Sequence, residues 1–302
     1  MAVRLLATLS ILGLLLVPVR STLARDRLAY AKPELLATPE MLKAYYDGER
    51  DFFKSGVTLI DVRSFKEHAA GNLSPGYRIE IGAWKRAFGD GTDGAKWTNL
   101  ISAVVADPKT TVIVYDNVVT PNAARTWWLL KYWGVADVRI LNGGYQAAQA
   151  AGLRTYPTAE KISIPSLFRA KPQANRLATR EQVLQAIVGD NGTKACVVDA
   201  RSTQEVAGGK IPTAAHSDWT NYVDPKTGKI RSAAELKALL AEANFDPQHP
   251  AIGYCRSGGR AAVVVFAMEL VGGQQVANYY GSWNEWSVTS GVPIVRPGVV
   301  GP

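Results

Sequence analysis

The sequence predicts an α/β protein built from two copies of one domain, each a mainly parallel sheet flanked by helices. Three observations predict it. The length of 302 residues, at about 100–200 residues per domain, suits two domains, and an apolar fraction of 47% supplies real cores. Short apolar runs alternate with helical stretches, the pattern of a parallel α/β sheet. The chain also repeats itself: Thr58-Leu59-Ile60-Asp61-Val62-Arg63-Ser64 echoes Cys196-Val197-Val198-Asp199-Ala200-Arg201-Ser202, and Val112-Ile113-Val114-Tyr115-Asp116 echoes Ala251-Ile252-Gly253-Tyr254-Cys255. Asp61 lies 55 positions before Asp116 and Asp199 lies 56 before Cys255; Gly143 follows Asp116 by 27 and Gly281 follows Cys255 by 26.

Taken in order, Arg4 precedes an apolar run over 5–19, too short for a membrane span and suited to a secretory leader. Residues 1–24 are read as a signal peptide cleaved after Ala24, with Ala31 as the alternative cleavage site and an uncleaved anchor as the rival reading. Export, to a periplasm or the medium, is the expected localisation. The first domain is expected over 25–157. Thr38 is placed as a helix N-cap, with strands over 112–115 and 138–141 around a helix over 122–133 that ends at Gly134. The tryptophans of that helix, Trp127 and Trp128, are read as core. A polar, proline-containing linker is expected over 158–175, and the second domain over 176–302. There Thr179 repeats Thr38 as an N-cap, a strand over 195–198 holds Cys196 as a small core residue, and a strand over 251–254 precedes a helix over 261–271.

The most informative segment joins that last strand to that last helix. Cys255 stands at the end of a buried run, followed by Arg256, Ser257, Gly258, Gly259 and Arg260. Two glycines let successive N–H groups turn inward over a helix N-terminus, and such a ring of donors favours negative charge. With two arginines close by, Cys255 is expected to be a thiolate nucleophile, the competing reading being an ordinary buried cysteine beside a glycine turn. Asp116 stands at the corresponding position of the first copy. An aspartate there does not supply a thiolate nucleophile, so that copy is expected to be catalytically silent, and plain turn chemistry explains the aspartate equally well.

These segments, with Gly209-Lys210-Ile211-Pro212-Thr213-Ala214 and Tyr280-Gly281-Ser282-Trp283-Asn284-Glu285-Trp286, resemble in order and spacing the tandem-domain rhodanese (sulfurtransferase) family, of which the chain looks like an exported member. The resemblance implies two tandem rhodanese-like domains with the cleft between them. It implies sulfur transfer from thiosulfate or a related donor, through a Cys255 persulfide, to cyanide or a thiol acceptor. Arg256, Ser257, Gly258, Gly259 and Arg260 would bind the donor anion, and Asp199, Arg201 and Trp283 are possible supporting residues, the Asp–Arg pair more structural than catalytic. Trp219 and Trp286 are further candidates for the pocket wall. Ser257 departs from thiosulfate-using tandem members, which often carry lysine there, and Glu205 stands where some of them place arginine. The loop also lacks the smaller pattern of 3-mercaptopyruvate-using relatives.

A formal charge of +8, or +6 once Arg4 and Arg20 leave with the leader, suits a small anionic donor and a thiophilic acceptor, or an acceptor protein. No basic run interleaved with aromatics supports nucleic-acid binding, and no stable membrane association is expected after cleavage. His68, His216 and His249 do not form a ligand set with the cysteines, so neither metal nor cofactor is expected. Two other classes are weighed. A phosphatase or arsenate reductase would need a longer loop than the four residues between Cys255 and Arg260. A non-enzymatic persulfide carrier, or a 3-mercaptopyruvate sulfurtransferase, would use the same cysteine.

Overall fold

The computed structural model describes residues 30–47, 56–73, 76–105, 107–157, 166–189 and 195–296. The expected leader over 1–24 and the first part of the expected linker, 158–165, lie outside them.

Five parallel strands form the first sheet: β1 (Leu36–Ala37), β2 (Val57–Asp61), β3 (Gly76–Arg78), β4 (Thr111–Tyr115) and β5 (Asp137–Leu141), in the order β1-β5-β4-β2-β3. The second sheet holds β6 (Cys196–Asp199), β7 (Ala215–His216), β8 (Ala251–Tyr254) and β9 (Val276–Asn278), in the order β7-β6-β8-β9 and again parallel. Where the first copy has β1, the second has a single bridge, Leu177 to Asn278. Parallel strands need crossover helices, and the longest of these are Pro121–Tyr132 and Gly259–Leu270, which follow β4 and β8. Thr38 and Thr179 cap helices as expected, accepting from the N–H groups of Met41 and Gln182.

The repeat extends to buried polar detail. Asp61 and Asp199 are fully buried at the ends of β2 and β6, and each takes a two-pronged hydrogen bond from the arginine two residues on, Arg63 or Arg201. Each arginine then donates to a carbonyl, Gly71 O or Gly209 O, and each aspartate accepts from a tyrosine hydroxyl, Tyr115 or Tyr254. Those hydroxyls accept from the backbone N–H of Leu73 and Ile211. Both carboxylate oxygens of each aspartate are thus engaged by the arginine, with the tyrosine hydroxyl as a further donor, which offsets the cost of burying the ion pair. This is structural work, fixing the loops at the carboxyl ends of the strands.

One apolar cluster spans both domains, and each domain has a smaller one of its own. Apart from Arg260, the Gly259–Leu270 helix is buried along its length, because it lies between its own sheet and the Pro121–Tyr132 helix of the other domain. Trp127 meets Phe266 edge-on at 4.9 Å, and Trp128 stacks on Tyr280 at 5.1 Å. Arg176 pairs with Glu269, and the segment entering the first domain is tied to the second by Ala31 and Lys32 N–H groups on Leu270 O. The loop after β4 is covered by domain 2: Val119 N–H donates to Gly228 O, and Gly228 lies so close to Val118 that a side chain there would collide with it.

Candidate active site

β8 is an interior strand, paired on both sides, so its carboxyl end delivers Cys255 to the middle of the sheet's edge, where open parallel α/β sheets bind ligands. The next helix begins at Gly259, two residues earlier than expected, because Gly258 adopts φ 78° and caps it in the left-handed region. Gly259, Arg260 and Ala261 open that helix, and N–H groups at this position have no partner within it. Cys255 is 1% exposed and its thiol is free; the Ser257 N–H donates to its Sγ at 3.4 Å.

The expected ring of inward amides is narrower than predicted. The N–H groups of Cys255 and Gly258 both donate to Ser282 Oγ, each at 3.1 Å, and that hydroxyl donates to Tyr279 O at 2.6 Å. Asn278 Nδ2 holds Gly258 O at 2.9 Å. Ser282 therefore braces the loop from behind, and Gly258 contributes its conformation more than its amide. Trp283 and Asn284 close the frame, their N–H groups donating to Cys255 O and Arg256 O.

Charge gathers around the sulfur. Arg256 is exposed at the rim, and Arg260, half-buried, interacts with Cys255 while its guanidinium clasps Glu205 at 2.5 and 2.7 Å. That clasp holds the Glu205 carboxyl down at about 2, and the N-cap of its own helix at Ser202 assists. Two cations come from the first domain and were not anticipated. Arg125 Nη2 donates to Ser257 Oγ at 3.4 Å and Nη1 to Tyr280 OH at 3.0 Å, and Lys85 lies in the field of Arg125, Cys255 and Arg256.

The supporting residues divide. Asp199 and Arg201 belong to the buried network described above, and Arg201 also lies over the Trp283 ring at 4.3 Å, so Trp283 covers that network. Trp286 is fully buried with its Nε1 donating to Pro293 O, a core residue, while Trp219 is half-buried against the shared core. Cys196 is half-buried next to Ala243 O, and burial pushes its thiol up to about 11, which suits an inert core cysteine. An apolar groove of about 660 Å³ lined by Leu184, Val188, Ile252 and Ala277 among others does not include Cys255. Its chemistry is plain packing surface, and the reactive groups lie elsewhere.

In the first copy the same frame holds a different group. Tyr145 and Gln146 N–H groups donate to Asp116 O and Asn117 O, as Trp283 and Asn284 do in the second. The Asp116 carboxylate is turned onto its own loop, accepting from Asn117 N–H at 2.7 Å and Thr120 Oγ1 at 2.6 Å, with burial raising its pKa. Glu67 reaches Asn117 where Glu205 reaches Arg260.

A family model described as "Rhodanese-like domain" matches this chain twice, at residues 39–151 and 179–289. The chain belongs to the rhodanese family. Among its relatives is the "Putative thiosulfate sulfurtransferase SseA" of Mycobacterium tuberculosis, 32% identical over 90% of this chain and 95% of that protein. The "Sulfur carrier protein TtuD" of Thermus thermophilus is 28% identical over 89% of this chain and 99% of its own length. The fold is also that of the Escherichia coli SseA structure, described as a 3-mercaptopyruvate sulfotransferase, with TM-score 0.68 and 24% identity over 82% of this chain and 98% of that one. Rhodanese membership accounts for the duplicated frame. Ser282 was not singled out in the sequence; it stands where the first copy has Gly144, and both have positive φ, 54° and 61°. A serine tolerating that backbone signals a side chain with its own task.

Proposed function

We propose that this rhodanese is a thiosulfate sulfurtransferase with Cys255 as the sulfur carrier. The observation that carries the reading is a free cysteine at the end of an interior strand, its Sγ accepting from the Ser257 amide amid Arg256, Arg260 and Lys85. The Cys255 thiolate attacks the outer sulfur of thiosulfate. The donor's S–S bond breaks and sulfite departs with the bonding pair, leaving a Cys255 persulfide whose terminal sulfur is anionic. Cyanide, or a thiolate, then attacks that terminal sulfur, and the Cys255 thiolate is released. Loop amides and cations stabilise anionic sulfur throughout, so no separate base is required. Thiocyanate formation from thiosulfate and cyanide, with the mass of one added sulfur on the donor-treated protein, is the expected result; neither signal would sink the reading.

Delivery of the persulfide to a protein acceptor is a second reading, favoured by the relative named as a sulfur carrier. It predicts the added-sulfur mass with negligible turnover to cyanide.

Glu205 tempers donor affinity by occupying Arg260. Its folded pKa of about 2 lies below the ordinary carboxylate value, so the pairing is in force above that ordinary value and is lost only as pH falls through about 2. Arg260 is therefore engaged at any working pH. Glu205→Gln is expected to lower the KM for thiosulfate about threefold or more with kcat little changed, because a neutral amide holds guanidinium less strongly; an unchanged KM would show that Arg260 does not meet the donor. Export is proposed on the leader alone. N-terminal sequencing of the exported protein should begin at Arg25, and a start at Met1 would refute cleavage.

A further inference from the structure

Among the described residues, the buried or half-buried arginines have carboxylate partners, with one exception at the domain interface. Arg63 and Arg201 lie on Asp61 and Asp199, Arg176 on Glu269 and Arg260 on Glu205. Arg125 is 8% exposed, and among the described residues it has no ion pair; its partners are two neutral hydroxyls, Tyr280 OH and Ser257 Oγ. A desolvated cation with only neutral partners is unfavourable, so a nearby anion is to be sought. One lies a single residue away. Ser257 accepts from Arg125 through its hydroxyl and donates its amide to Cys255 Sγ.

The fit is close. A Cβ at Gly259 would run into the Nη2, Cζ and Nε atoms of Arg125, so this glycine is required by the guanidinium of the other domain and not by backbone conformation. Tyr280, which receives Nη1, is itself clamped between Phe88 and Trp128 of the first domain. Lys85, held below its ordinary pKa by burial first and then by Arg125 and Arg256, with Cys255 opposing, lies in the same field as Arg125 and Cys255.

We propose that Arg125, carried by the domain that lacks the cysteine, is a positioning residue of the sulfur site, and that its counter-ion is the anion the site holds: the Cys255 thiolate, and after transfer the persulfide. The first domain is then part of the reactive centre through charge as well as shape. The inference rests on the sulfur-transfer reading for the persulfide but not for the thiolate, and the test separates the two.

The test follows thiolate ultraviolet absorbance against pH in a Cys196→Ser background, taken as the difference from the same chain with Cys255→Ser. Arg125→Gln is expected to raise the Cys255 titration midpoint by about one pH unit, and Arg125→Lys to restore most of it. Thiosulfate KM should rise several-fold in Arg125→Gln. Ser257→Ala, which removes the hydroxyl Arg125 reaches and keeps the amide, should move the midpoint in the same direction by less, and it decides the matter if Arg125→Gln does not fold. A midpoint unmoved in every variant that folds overturns the inference. A shifted midpoint in a protein that forms no persulfide would overturn the sulfur-transfer reading and leave the Arg125–Cys255 pairing standing.

Discussion

Cys255→Ser is expected to reduce thiocyanate formation by at least about three orders of magnitude and to abolish the added-sulfur mass. The hydroxyl that replaces the thiol is protonated at neutral pH and cannot form a persulfide, so both half-reactions are lost together. The loop should survive the change. Cys255 is held by its backbone, through its N–H on Ser282 Oγ and its carbonyl beneath the Trp283 N–H, and serine keeps both. Steady-state turnover and intact mass, measured beside thermal unfolding, check this. Loss of activity with an unfolding midpoint close to that of the parent assigns the sulfur to Cys255. Residual loading would implicate Cys196, the other cysteine, whose raised pKa argues against it.

How far the sequence could be read depended on whether the relevant contact was local. Periodicity and spacing were enough for β8, for the Thr38 and Thr179 caps and for the duplication, because strands, caps and repeats are written over a few neighbouring residues. Asp199 and Arg201 were weighed through the family resemblance as more structural than catalytic, and they sit in a buried ion pair that Asp61 and Arg63 repeat in the first copy. Trp127 and Trp128 were rightly assigned to the core, although what they pack against, Phe266 and Tyr280, belongs to the other domain. The amide ring was misjudged. Glycine content announces that a loop can turn its N–H groups inward, yet it cannot say which of them a distant hydroxyl will claim, and Ser282 takes two. Arg125 was out of reach for a stronger reason: it meets Ser257 across 132 positions and a domain boundary, and within its own helix it reads only as one polar residue in an aromatic run.

Ser282 supplies the second large effect. Its side chain is fully buried, its backbone holds φ 54°, and its Oγ has three partners, accepting from Cys255 and Gly258 N–H and donating to Tyr279 O. Ser282→Ala keeps the unfavourable φ and leaves two buried donors and a carbonyl unpaired. At about 1–3 kcal/mol for each unsatisfied buried group, less what small shifts recover, a loss of about 2–4 kcal/mol in unfolding free energy is expected, readable in the denaturant midpoint. Activity should fall further than stability alone requires, because the two freed amides belong to the cysteine itself and to the glycine that sets the loop's turn. Ser282→Gly separates the contributions. It relieves the left-handed strain, as Gly144 does at the same place in the first domain, and leaves the same groups unpaired. It should therefore be the more stable of the two variants and yet share the loss of turnover. If both variants keep parental activity, the hydroxyl braces nothing the reaction needs. If Ser282→Gly alone recovers turnover, backbone strain matters there and the hydrogen bonds do not.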